Sequence, residues 1–157
     1  MIEPLKYFLL PGAIKYSKKP MEITTLLGSC VSVCLYDTRL NIGGMNHYMM
    51  PYWNGTGLAS PKFGNIAIEK LVNSLLFAGS QRDDLVAKVF GGAAVLNSSD
   101  CIFNIGERNI DIQENLLKQN EIRVVAKSLG GDRGRKLIFN TNTGLVKMKY
   151  VKKSIIL

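Results

Sequence analysis

Cys30 and His47 are the side chains of this sequence best suited to act together on a carbonyl carbon. A thiol becomes a good nucleophile near neutral pH when an imidazole takes its proton or stabilises its thiolate. Gly28-Ser29-Cys30 sets the sulfur where a strand-like run is broken by small residues, so neighbouring side chains do not cover it. Backbone N–H groups around Gly28, Ser29 and Cys30 can turn toward the oxyanion that such an attack creates. Free cysteine is nonetheless among the most buried residue types, and a lone histidine is more often structural than catalytic. Residue type alone leaves both readings open. Cys34, between Val33 and Leu35, and Cys101, beside Ile102 and Phe103, read as core. A base partner favours ionisation at Cys30, whereas apolar neighbours disfavour it at Cys34 and Cys101.

Other chemistries find less support. One histidine, no Cys-x-x-Cys pair and no carboxylate cluster near the cysteines argue against a metal site. No glycine run has dinucleotide or Walker spacing, and no cofactor is expected. An odd cysteine count without an export signal points to free thiols. The start, Met1-Ile2-Glu3-Pro4-Leu5-Lys6, lacks the basic-then-apolar order of a secretion signal, and no apolar run suits a membrane span, so a cytoplasmic location is expected. The net charge of +8 favours acidic partners or simply solubility, with local groups at Arg133/Arg135/Lys136 and Lys147/Lys149/Lys152/Lys153. No nucleic-acid module is present.

The elements that must position Cys30 and His47 follow from periodicity. Residues 1–20 read as a short leading strand and loop. Met21 to Leu27 and Val31 to Tyr36 are strands on either side of Gly28-Ser29, and Ile42 to Met50 is the next, with Gly43-Gly44 permitting close backbone approach. The short turn Asp37 to Asn41 makes the last two neighbours, which brings Cys30 within reach of His47. Pro51 to Gly57 reads as a loop. Ser60-Pro61 reads as a helix start, followed by Phe63, Ile66, Ala67, Leu71 and Leu75 at helical spacing until Gly79. Leu85 to Phe90 is a strand, Asn104 to Asn120 a helix with Ile105, Ile112 and Leu116 inward, and Ile122 to Ser128 a strand. Arg135 to Phe139 and Leu145 to Val151 form a hairpin across Thr141-Asn142-Thr143-Gly144. The expected fold is one α/β domain of mixed sheets flanked by helices, spanning residues 1–157.

With these residues in view, the chain resembles a known family, the chemoreceptor glutamine deamidases (CheD). The resemblance runs through Thr24-Thr25-Leu26-Leu27-Gly28-Ser29-Cys30-Val31, Asn46-His47-Tyr48-Met49-Met50-Pro51 and Lys88-Val89-Phe90-Gly91-Gly92-Ala93. It continues through Ile105-Gly106-Glu107-Arg108-Asn109, Gly130-Gly131-Asp132-Arg133-Gly134-Arg135-Lys136 and Thr143-Gly144-Leu145-Val146, in family order. It implies a layered α/β fold shared with bacterial deamidating toxins, and an active site of cysteine, histidine and threonine. By position these are Cys30, His47 and Thr24, the last assigned by its offset from the cysteine with Thr25 adjacent. Asn46 precedes His47 where alanine is common.

The resemblance further implies glutamine side chains on the cytoplasmic helices of chemotaxis receptors as substrate, and a CheC-type phosphatase as a restraining partner. The implied reaction is thiol attack on the side-chain amide, loss of ammonia and hydrolysis of a thioester, with Thr24 orienting His47 through its hydroxyl or its carbonyl. Two other classes fit the residues. One is a binding module that regulates the phosphatase without catalysis; the other is a different thiol enzyme, such as a protease or transglutaminase.

Overall fold

The computed structural model describes residues 3–94 and 104–151, and the expectation for Cys101 falls outside them. The strands are β1 (Leu5–Phe8), β2 (Ile14–Ser17), β3 (Met21–Leu27), β4 (Val31–Asp37) and β5 (Ile42–Asn46), followed by α1 (Gly64–Phe77) and β6 (Leu85–Gly91). After them come α2 (Ile105–Gln119), β7 (Arg123–Leu129), β8 (Arg135–Asn140) and β9 (Val146–Tyr150). Four strands form one mixed sheet in the order β1-β3-β8-β9, and five form another in the order β2-β5-β4-β6-β7.

Side-chain parity stacks these parts in layers. In β4, Val31, Val33 and Leu35 join α1 and α2 residues such as Ile68, Leu71, Leu75 and Ile112 in one apolar cluster. Cys34 on its other face joins Met45, Phe90, Ile23, Leu137 and Phe139 in a second cluster between the two sheets. The five-stranded sheet is thus covered on both faces, which is why β4 is buried along nearly its whole length. The result is helices, sheet and sheet: the expected α/β architecture of mixed sheets flanked by helices. Among the described residues no helix is long and apolar enough to cross a membrane.

Three expectations shift. The leading segment contains two strands, β1 pairing parallel with β3 and β2 antiparallel with β5. The strand after Asn41 ends at Asn46 and continues only as isolated bridges at Tyr48 and Met50. Helix α1 starts at Gly64, not at Ser60-Pro61. The Lys62 carbonyl accepts the N–H groups of Met49 and Met50, and Gly64 donates back to Met50, so extended pairing holds the chain open until that point. Ser60 caps only a turn, accepting from the Lys62 N–H at 3.3 Å.

Gly43 and Gly44 let both neighbouring layers close on β5. A Cβ at Gly43 would lie 2.8 Å from the Leu35 carbonyl and 2.9 Å from the Phe139 ring. One at Gly44 would lie 2.7 Å from Tyr16 and 2.8 Å from Leu71 on the opposite face. Gly43→Ala is therefore expected to lower the unfolding free energy by about 1–3 kcal/mol, the cost of overpacking a filled core. Urea unfolding followed by circular dichroism measures this, and an unchanged midpoint would show that the sheets separate freely there.

Candidate active site

A single antiparallel pair brings Cys30 and His47 to one face. Val31 and Tyr48 exchange both backbone hydrogen bonds, at 3.2 and 3.0 Å. In that register Cys30 and His47 are diagonal neighbours, and diagonal neighbours sit about 7–8 Å apart at Cα with side chains closer. Val31 and Tyr48 point to the helices. Cys30 and His47 therefore point the other way, into the space between the sheets, where Cys30 packs against the apolar cluster there.

The strand is locally rebuilt just before His47. Val33 N–H donates to the Asn46 side-chain Oδ1 at 2.8 Å in place of a backbone acceptor, and the freed Asn46 carbonyl accepts the Ser32 hydroxyl at 2.5 Å. On its other side the His47 backbone pairs with the leading segment, donating to Ala13 and accepting from Gly12. His47 is consequently held from two strands while its side chain stays between the sheets.

Thr25, not Thr24, meets the imidazole. Its Oγ1 lies 2.7 Å from His47 Nδ1 and 2.9 Å from the Leu9 carbonyl. A carbonyl can only accept, so the single hydroxyl proton goes to Leu9, and Oγ1 accepts from Nδ1–H. This fixes the tautomer: Nδ1 carries the proton and Nε2 presents its lone pair. The sequence assignment of Thr24 fails on parity. Met21, Ile23, Thr25 and Leu27 are buried, while Thr24 lies only partly buried among the alternate residues. The Thr24 carbonyl, the other route considered, is taken by the Leu9 N–H at 2.8 Å.

The Gly28-Ser29-Cys30 turn is stapled by the end of β6. Gly92 N–H donates to the Cys30 carbonyl and Ala93 N–H to the Gly28 carbonyl, at 2.9 and 3.0 Å. Gly91, at φ +111°, passes so close to the Cys30 carbonyl that any Cβ would collide with it. The Lys88-Val89-Phe90-Gly91-Gly92-Ala93 block thereby acquires a purpose, which is to seat the cysteine turn.

Both Cys30 and His47 rest uncharged. Burial pushes the Cys30 thiol up, partly offset by a hydrogen bond from its own backbone N–H. The expected ease of ionisation at Cys30 is therefore not a property of the resting site, although Cys34, buried completely, is pushed up much further, to about 12. Burial holds the His47 imidazole down, to about 4. The arrangement suits proton transfer concerted with attack rather than a preformed ion pair. Among the described residues no group of histidine, cysteine and carboxylate side chains could hold a metal.

Sequence reasoning placed Cys30, His47 and the Gly28-Ser29 turn together. It missed Thr25, the Leu9 carbonyl and the Asn46–Ser32 exchange. The alternation Met21, Ile23, Thr25, Leu27 carried the signal for the first of these; the carbonyl left no side-chain trace.

Comparisons with known proteins give the family. The family model described as CheD chemotactic sensory transduction matches residues 49–150. A protein of Trichlorobacter lovleyi is 55% identical over 141 residues, covering 90% of this chain and 88% of its own length. One of Sulfurimonas denitrificans is 51% identical over 150 residues, covering 95% and 96%. One of Janthinobacterium is 43% identical over 148 residues, covering 92% and 72%. Each bears the name "probable chemoreceptor glutamine deamidase CheD". The chain belongs to the CheD family.

The buried neutral imidazole makes stability depend on pH. Unfolded, His47 takes up a proton as pH falls through 6.5; folded, it does so only near 4. Between those values the unfolded state binds more protons, so stability falls as pH falls, by about 3 kcal/mol across the window. His47→Asn should lack this loss. Urea unfolding of both proteins from about pH 7.5 to about pH 4 checks it, and parallel curves would mean that folded His47 takes up its proton at the same pH as the unfolded chain.

Proposed function

We propose that this CheD family member is a protein-glutamine deamidase, acting as one domain, with Cys30 as nucleophile and His47 as base. The observation that carries the reading is the Leu9–Thr25–His47 chain of hydrogen bonds. It leaves Nε2 unprotonated on the face that Cys30 shares. The names of the relatives supply the substrate: glutamine side chains of chemoreceptors.

The steps follow from these groups. As Sγ bonds to the side-chain amide carbon of glutamine, its proton passes to Nε2. The carbonyl electrons move onto oxygen, and the Cys30 N–H donates to that oxyanion. Collapse breaks the C–N bond, and Nε2–H protonates the leaving nitrogen, releasing ammonia and a thioester. Water then gives its proton to Nε2, attacks the thioester and yields glutamate with the thiol restored. Burial makes an imidazolium costly here, yet the charge exists only while the oxyanion lies beside it. Throughout, Thr25 Oγ1 accepts from Nδ1–H and keeps the ring from turning.

Receptor helices reach the site from solvent, and the net charge of +8 favours an acidic receptor surface. The setting is cytoplasmic chemotaxis signalling. A CheC-type phosphatase restrains the enzyme by occupying the receptor's place.

The test is incubation with a receptor cytoplasmic fragment, read by ammonia release and by a mass gain of about one dalton per modified glutamine, as amide becomes acid. Cys30→Ala and His47→Ala should abolish both signals while remaining folded. Thr25→Val should lower kcat by about 100-fold, the cost of a misplaced catalytic group, and Thr25→Ser should restore most of it. Thr24→Val should leave kcat near wild type. The acid limb of kcat/KM should fall near 4, the value at which His47 takes its proton. A folded His47→Ala protein that deamidates at the wild-type rate would falsify the proposal.

A further inference from the structure

Asn109 lies on α2, a different layer from Cys30, His47 and Thr25, and it is completely buried. Its side-chain Nδ2 donates to the Ser29 carbonyl at 3.0 Å and to the Met49 carbonyl at 3.1 Å. Both partners can only accept, so the amide nitrogen must face them. Ser29 immediately precedes Cys30, and Met49 follows His47 by two residues. One amide group thus joins the two segments that carry the reacting side chains. The Tyr48 hydroxyl closes the arrangement by donating to the Asn109 backbone carbonyl at 2.5 Å.

The bond to Ser29 has a directional effect. The Ser29 carbonyl and the Cys30 N–H belong to one planar trans peptide and point to opposite sides. Anchoring that carbonyl toward α2 turns the Cys30 N–H toward the space between the sheets. Cys30 itself packs against the apolar cluster in that space, so its N–H and its thiol share one side of the strand.

We infer that Asn109 is a positioning residue for the oxyanion donor: by holding the Ser29 carbonyl against α2 it aims the Cys30 N–H at the reacting carbonyl. The bond to Met49 sets the spacing of the two segments. Asn109 itself never touches the substrate. This inference rests on the deamidase reading and adds to it the element that orients the oxyanion hole.

The experiment compares full-length wild-type protein with Asn109→Ala and the isosteric Asn109→Asp, whose carboxylate cannot donate to two carbonyls. Gln113→Ala serves as the control. Gln113 is buried on the same helix one turn on, and pairs with neither segment. Deamidation of a receptor fragment is measured beside alkylation by iodoacetamide, which consumes the Cys30 thiolate without forming an oxyanion. Protection of Cys34 from the same reagent reports that the core is intact. Loss of an aimed oxyanion donor should lower kcat at least about 10-fold in both Asn109 variants, with KM little changed. Alkylation of Cys30 should stay within about threefold, Cys34 should stay protected, and Gln113→Ala should keep its kcat.

Wild-type kcat in a folded Asn109→Ala or Asn109→Asp protein would overturn the inference alone. So would equal losses in deamidation and alkylation with Cys34 exposed, which mark a purely structural role. Absence of ammonia release from the wild-type protein would bring down the deamidase reading and this inference together.

Discussion

The Val31–Tyr48 backbone pair is the constraint from which the site follows. It sets the parity of both strands at once, so that apolar Val31 and Tyr48 go to the helix layer while Cys30 and His47 go between the sheets. A slip by one residue would reverse every side chain and put the thiol among the helix contacts. Three further features defend that register. Gly91 and Gly92 seat the cysteine turn, the Asn46 side chain replaces a ladder bond, and Gly12 and Ala13 pin the His47 backbone from the far side.

Burial then determines the chemistry the pair can perform. Desolvation disfavours both the thiolate and the imidazolium, so the resting pair carries neither charge. Such a thiol is quiet toward adventitious oxidants and metals, which prefer thiolate. The same burial gives the relay through Thr25 its value: a fixed hydroxyl with its own acceptor at Leu9 holds one tautomer of the buried imidazole.

Much of this was legible in the sequence, and the limits have physical causes. The β3 and β4 strands, the break at Gly28-Ser29 and the hairpin at Thr141–Gly144 follow from local periodicity and turn chemistry, which residues announce individually. The family resemblance was equally specific, because its blocks span the chain in order. Thr24 was chosen by distance along the chain, whereas a strand assigns faces by alternation, and the neighbouring apolar residues had already placed Thr25 inside. The helix start at Ser60-Pro61 had sound capping logic but was overridden by strand pairing with Met50, a tertiary contact with no local signature. Backbone carbonyls such as Leu9 leave no trace in residue type at all.

The site is also assembled from distant parts of the chain. Leu9 meets Thr25 across 16 residues, Thr25 meets His47 across 22, and Ser29 meets Asn109 across 80. During synthesis, the cysteine turn emerges long before the helix that orients it, and domains fold as units rather than residue by residue. A nascent chain that ends before α2 therefore carries the thiol without the Asn109 amide that holds the Ser29 carbonyl. On the deamidase reading, competence arrives late and all at once, because the last contact to form around the cysteine turn belongs to a helix 80 residues away.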